Sequence, residues 1–307
     1  MNNEVTCLAL TRVTDYGSKR VNSLVQKIDL SAIPNLSELV AAIQEANLGI
    51  KVPTLDEMVS CFDYAMAIRE SLTGTDIGMT TILSEDYPER LKADVPNPPP
   101  VLFYKGDLAN ITPEAVAIVG TRNPTSGSLE VAEKLTDEMA GRGYCIVSGL
   151  AKGIDTVAHR TAIENDVVTV AVLAHGLNTI YPKENADLAV SILENKGVLL
   201  SEYVPDEKIA PYQFVARDRI QSALSKAVFA VQSTKDGGTM KTAGFAIKQK
   251  RELYVYSSGV DSLDFGGNQE LISQGVKTFT KDVKAIVLED KKEEPKEAIQ
   301  TNLESFQ

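Results

Sequence analysis

The chain has 307 residues, 43% of them hydrophobic and 24% charged, with 31 Lys+Arg against 42 Asp+Glu for a net charge of −11. That length allows about two domains, and that apolar fraction supports a packed core rather than a disordered chain. The acidity withholds the broad basic footprint of most nucleic-acid binders and leaves room only for a local basic groove.

The N-terminus shows no basic region leading into a long apolar stretch. No apolar run in the chain approaches the ~18 residues of a membrane span. Cys7, Cys61 and Cys145 are too scattered for a zinc site or a disulfide framework. The expectation is a soluble cytoplasmic protein with no membrane contact, no metal and no cofactor.

Residues 1–73 read as a small helical domain. Leu24, Val25 and Ile28 recur at helical spacing, as do Leu36, Leu39, Val40 and Ile43, and Asn47-Leu48-Gly49 marks a helix end. Residues 74–112 read as a linker: Pro88, Pro96 and Pro98-Pro99-Pro100 exclude regular helix, and Val101-Leu102-Phe103-Tyr104 forms a lead-in strand. From 113 to 288, β-rich apolar runs at 115–119, 144–147, 169–173, 197–200, 227–231 and 253–256 alternate with helical patterns at 128–142, 155–165, 184–195, 213–224 and 239–250. This rhythm predicts an α/β domain with a doubly wound, mainly parallel, Rossmann-like sheet covered on both faces. Residues 289–307 carry a mixed charge run with a proline and read as a mobile, solvated tail.

In such a sheet, ligands bind beyond the carboxyl ends of the strands. The segments there are rich in glycine, hydroxyls and single cations: Gly120, Arg122, Ser126 and Gly127 after the first strand, Lys152 and Gly153 after the second, and Lys235, Gly238 and Thr239 after the fifth. Glycine lets backbone approach an anion, and helix N-termini offer free N–H groups, so the rim predicts a phosphate site. Each piece alone has a plainer role. Gly120 and Gly127 suit ordinary turns, Ser126 suits an N-cap, and Asp155 and His159, four apart on one helix, suit a bond to each other. GxGxxG and GxxxxGK[ST] are both absent, which excludes a dinucleotide enzyme and a P-loop NTPase.

Several motifs together resemble those of the DprA/Smf family. Ala117-Ile118-Val119-Gly120-Thr121-Arg122 is similar to its AIVGSR, and Ser148 to Asp155 followed by Ala158-His159 matches SGLA[RK]GID…AH. Val170 to Asn185 resembles IAVLGxGLDxIYPxEN with Ala174 and Asn178 replacing Gly and Asp, and Leu199-Leu200-Ser201-Glu202-Tyr203 and Gly266-Gly267-Asn268 also fit. The resemblance implies an extended Rossmann domain behind a SAM-like helical domain. It also implies single-stranded DNA held by its phosphates in a basic pocket, a homodimer, and a RecA-type recombinase as partner. At the matched positions, Arg122 and Lys152 would contact phosphate, with Gly120, Ser126 and Gly153 shaping the loops.

The chain departs from the family at one segment. Where the family reads FPRRNRIIAGLS, this chain reads Phe214-Val215-Ala216-Arg217-Asp218-Arg219-Ile220-Gln221-Ser222-Ala223-Leu224-Ser225. Arg217 and Arg219 are kept, Asp218 replaces Asn, and Lys241 stands as a compensating cation, which together imply a retuned groove. Two other readings follow from the resemblance. One is an antitoxin-like partner of a phage-defence toxin. The other is a LOG-type phosphoribohydrolase, which Thr242 disfavours because it stands where that motif needs Glu. The low aromatic content, 6% with no Trp, favours gripping phosphates over stacking bases.

Overall fold

The computed structural model describes residues 1–94, 97–259 and 262–289. The tail expected over 289–307 therefore lies outside the described residues from 290 on. The chain opens with four helices, α1 (Asn3–Arg12), α2 (Ser18–Lys27), α3 (Leu36–Ala46) and α4 (Leu55–Ser71). Asn2, Asn35 and Thr54 cap α1, α3 and α4 with side-chain oxygens, and Asn47 closes α3 in the left-handed region at φ 47°.

Next come β1 (Gly78–Thr81), α5 (Glu89–Asp94) and β2 (Val101–Lys105). The expected linker without regular helix is corrected here by α5. Pro88 excludes helix before it, yet its carbonyl accepts from Leu91 and Lys92 N–H and starts α5, because a proline at a helix start has no intrahelical N–H to lose. β1 is a second addition to that stretch. It pairs antiparallel with β2, and Gly78 leaves the space that the Tyr104 ring occupies.

The alternating region runs β3 (Ala115–Val119), α6 (Ser126–Gly141), β4 (Cys145–Ser148), α7 (Ile154–Glu164), β5 (Thr169–Leu173), α8 (Ala186–Glu194), β6 (Val198–Ser201), α9 (Pro211–Leu224), β7 (Ala227–Ala230), α10 (Gly238–Lys248), β8 (Glu252–Tyr256), α11 (Gly266–Ser273) and β9 (Lys277–Phe279). The strands form one sheet in the order β1-β2-β6-β5-β4-β3-β7-β8-β9, parallel from β6 through β9, with β2 antiparallel to β6. This is the doubly wound, mainly parallel α/β sheet expected.

β3 shows why the sheet needs two covers. All five residues are buried, with Val116 and Ile118 packed in one apolar cluster and Ala115, Ala117 and Val119 in the other. α6 and α7 supply Val131, Leu135, Ile154 and Ala158 to the first, while α9 and α10 supply Ile220, Leu224 and Ala243 to the second. That second cluster extends without a break into Leu8, Leu24, Leu39 and Met58 of the N-terminal helices. At the far edge, β9 is three residues long, and Lys277 on it pairs with Glu252 at 3.0 Å and Glu289 at 2.7 Å. No helix among the described residues is long and apolar enough to cross a membrane.

Candidate functional site

Strand order decides where a ligand fits. From β3 the chain moves outward through β4, β5 and β6, then returns to lay β7 on the other side of β3. The loops after β3 and β7 therefore diverge and leave a crevice at the strand carboxyl ends. A cavity of about 550 Å³ opens there, lined by Gly120, Thr121 and Arg122 after β3, Asp155 of α7, Phe214, Arg217, Asp218 and Gln221 of α9, and Ser233, Thr234 and Gly237-Gly238-Thr239 leading into α10. A smaller recess beside it shares Arg122, Ala151 and Phe214 and adds Gly149, Lys152 and Tyr181.

The rim is backbone packed on backbone. Gly153 has φ +80°, and a Cβ there would collide with the Thr121 carbonyl and the Arg122 backbone. A Cβ at Gly120 would strike the Ile154 side chain. The Gln232 carbonyl accepts from Thr121 N–H at 2.9 Å, and its side-chain oxygen accepts from Thr125 N–H at 2.9 Å, so the loops after β3, β4 and β7 are clamped together. α10 begins at Gly238 with no side-chain cap bond, and a Cβ on Gly238 would meet nothing within 4 Å. Its first turn thus presents N–H groups and the positive end of the helix dipole to the cavity.

Below the rim, α7 holds the turn at 149–151 from inside. Asp155 Oδ2 accepts from Gly149 N–H at 3.1 Å and Ala151 N–H at 3.3 Å. His159 Nε2 accepts from Leu150 N–H at 3.3 Å, which leaves the ring proton on Nδ1 to donate to Thr169 Oγ1 at 2.7 Å. The expectation that Asp155 and His159 bond each other is therefore replaced: each anchors backbone of the same turn, and Leu150 sits there at φ 58°. Burial, with the nearby Arg217 charge, pushes the His159 pKa down to about 3, and burial raises that of Asp155 against the pull of Arg217.

Arg217 is buried, and its guanidinium is spent on the protein. Nη1 donates to the Gly149 carbonyl at 2.8 Å and to the Val172 carbonyl, and Nε donates to Asp218 Oδ1 at 3.1 Å. Burial lifts the Asp218 carboxyl to about 6, with Arg217 opposing the shift and Asp155 adding to it.

The remaining sequence-predicted residues scatter. Arg122 is exposed, its guanidinium 5.0 Å from the Phe214 ring centre. Lys152 is exposed and reaches Glu184 at 2.5 Å. Arg219 is held bidentately by Glu202 at 3.0 and 2.6 Å and does not line the cavity. Lys235 and Lys241 are exposed near the α10 end but outside the lining, as are Ser126 and Gly127. Ser126 is not the N-cap: Thr125 is, accepting from Ser128 N–H at 3.2 Å, because the chain enters α6 one residue earlier. The site thus gathers Gly120, Arg122, Arg217, Gly238 and Thr239 around one cavity, with Lys152 beside it and Gly153 behind. Sequence reasoning missed Phe214 and Tyr181, whose rings meet edge-on at 5.9 Å, and Gln221. Two aromatics in Tyr212-Gln213-Phe214 at the start of α9 were the available signal.

A family model described as DNA recombination-mediator protein A matches residues 78–289. The chain is 34% identical over 283 residues to DNA processing protein DprA of Bacillus subtilis, covering 91% of this chain and 93% of that one. It is 38% identical over 192 residues to Protein Smf of Escherichia coli, covering 62% of this chain and 51% of that one, so it spans about half of that relative. The X-ray structure of DNA processing protein A from Streptococcus pneumoniae shares the fold with a TM-score of 0.79 at 24% identity, over 95% of this chain and 99% of that one. DNA processing protein A from Helicobacter pylori, whose structure concerns its single-stranded DNA binding mode, matches with a TM-score of 0.58 at 31% identity, over 66% of this chain and 90% of that one.

Proposed function

The chain belongs to the DNA recombination-mediator protein A family, the DprA/Smf proteins, and from that membership we propose that it binds single-stranded DNA along the rim of the cavity between β3 and β7. The observation that carries this reading is the pair of exposed cations, Arg122 and Lys152, flanking an uncapped helix N-terminus on an otherwise acidic protein. Cations and helix N–H groups hold phosphate oxygens, fix the strand in register and carry no sequence information. The single-stranded DNA binding mode described for the Helicobacter pylori relative supports the reading.

The function so read is binding without covalent chemistry. Glu202, the one carboxylate considered as a substitute for that hydrolase Glu, is locked by Arg219, and Thr242 supplies no general acid. By family analogy the DNA-bound protein acts as a homodimer that hands its strand to a RecA-type recombinase during DNA uptake.

A salt titration with labelled oligo-dT tests the DNA step. Wild type should bind at low salt, with a log–log slope of roughly −0.7 per phosphate neutralised. Arg122→Ala and Lys152→Ala should each weaken binding and flatten the slope by up to about 0.7. Absence of wild-type binding at low salt, or variants that keep affinity and slope, would sink the reading.

A further inference from the structure

Helix α4 carries more apolar surface than its own domain covers. A helix turns about 100° per residue, so residues three and four apart share a face. Met58, Cys61 and Ala65 are buried in the apolar cluster of the N-terminal helices. Beside them runs a second apolar line, Leu55, Val59, Phe62 and Met66, spaced four, three and four. Leu55 is 44% exposed, Val59 39% and Met66 37%, and Phe62 is half-buried. Single exposed apolar side chains are ordinary, but a contiguous line bordered by charge marks an interaction surface.

The border of that line has one sign. Asp56, Asp63 and Glu70 recur every seven residues along its solvent side, and all three are exposed. None of them forms an ion pair among the described residues. Glu70 also lies in the last turn of α4, where the helix dipole disfavours an acid. On the core side of the line the charged residue is Arg69, and Glu4 holds it at 3.5 Å.

The line is fixed before anything binds. Thr54 caps α4 by accepting from Glu57 N–H at 3.1 Å, and Glu57 accepts from Thr14 N–H at 3.1 Å and pairs with Lys51 at 2.9 Å. A preformed surface binds without the cost of ordering it. None of these residues lines the cavity at the strand ends.

We propose that this seam of α4 docks an amphipathic helix of another protein, about three turns long, with apolar residues at the same four-three spacing and lysine or arginine along one flank. Helices with such a repeat pack seam to seam, and the charges beside the seam choose the partner. The acid row disfavours the other occupants of an apolar face. It repels an anionic lipid surface and the phosphates of DNA. A second copy of the chain would bring no unpaired cation from this region, since Arg69 and Lys51 are already engaged.

The probe is a labelled synthetic helix of about fourteen residues, two heptads, with leucines at the four-three spacing and lysines on one flank. It is titrated into the full chain and followed by fluorescence anisotropy at low and moderate salt. A control peptide carries glutamates in place of the lysines. The lysine peptide should bind about tenfold more tightly than the control, because like charges across an interface reject a partner. Val59→Ser with Met66→Ser should weaken it about tenfold at an unchanged melting temperature, since both side chains already meet water. Asp63→Asn should weaken it about threefold and lessen the salt dependence. Val190→Ser, at an exposed apolar residue of α8, should change nothing.

Equal binding of the two peptides, or binding that survives Val59→Ser with Met66→Ser, overturns the proposal. So does a fall in the melting temperature of that variant, which would place the line inside the domain core. A free protein whose sedimentation mass halves with the same substitutions would give the seam to a second copy. Peptide affinity that rises with Ile299→Ser and Leu303→Ser would give it to the chain's own C-terminal residues. Either result removes the outside partner.

Discussion

The rim and the floor of the cavity come from adjacent turns of the same chain and follow opposite rules. On the rim, Arg122 and Lys152 are exposed, and their partners are a ring face and one surface carboxylate. In the floor, Asp155, His159, Arg217 and Asp218 are all buried, and their contacts are to backbone, to hydroxyl groups or to each other. Exposed charges are screened and loosely held, so removing one changes what the molecule binds more than whether it folds. Buried charges work the other way, since each one lost leaves partners unpaired in a medium that cannot solvate them.

Substitution at Asp155 should break this contrast most visibly. Asp155→Ala orphans the N–H groups of Gly149 and Ala151, and the expected cost is about 3 kcal/mol of stability, read by urea denaturation at neutral pH. Asp155→Asn keeps an acceptor and should recover much of it. A loss well under 1 kcal/mol in the alanine variant would show that the turn at 149–151 holds itself.

A second test sharpens the floor side through pH. Asp218 faces Arg217 on its own helix, Asp155 from α7 and Thr242 from α10, and its folded pKa is raised to about 6. Between the ordinary carboxylate range near ~4 and that value, the folded chain holds a proton that the unfolded chain has released. The contribution of this group to stability therefore falls as pH rises through the window and reaches its full cost above it. Asp218→Asn removes the titration. The variant should gain on wild type by up to about 3 kcal/mol between about pH 4 and pH 7, since each tenfold difference in proton affinity between the folded and unfolded chains is worth about 1.4 kcal/mol. Parallel stability curves would place the carboxyl in an ordinary environment.

The smallest expected effect lies on the rim. Glu184→Gln frees Lys152 from its surface partner, and such pairs are worth about 0.2–1 kcal/mol. Oligo-dT affinity should rise about twofold with no change in melting temperature. A drop in thermal stability instead would mean that the pair belongs to the fold rather than to the ligand.

The same division explains what can be read from sequence. β3 and β5 are legible to the residue because both are short, β-prone and apolar but for Thr169, and buried throughout, a pattern that needs no tertiary information. β1 is hidden because its Gly78 argues against strand and its partner, β2, supplies the packing. Of the candidate site, the rim is legible: Gly120, Arg122 and Lys152 stand within four residues of a strand end, Gly238 and Thr239 open the helix after β7, and topology alone puts strand ends on one edge. The floor is not. That Arg217 turns inward to two carbonyls, that Asp155 and His159 hold one turn rather than each other, and that Gln221 lacks a partner all depend on tertiary packing that no local pattern carries. The cap of α6 differs by one residue, Thr125 for Ser126, between two side chains equally able to serve.

The ends of the sheet have a consequence for self-association. An open sheet offers unpaired backbone at its outer strands, where a foreign strand can add and begin an aggregate. At one end the short strand β1 lies under helix α1. At the other, β9 is only three residues long and carries the charge of Lys277, which pairs with Glu252 and Glu289. Among the described residues, neither border is a long, flat template for strand addition. A second copy of this chain would therefore find little open strand edge to pair with.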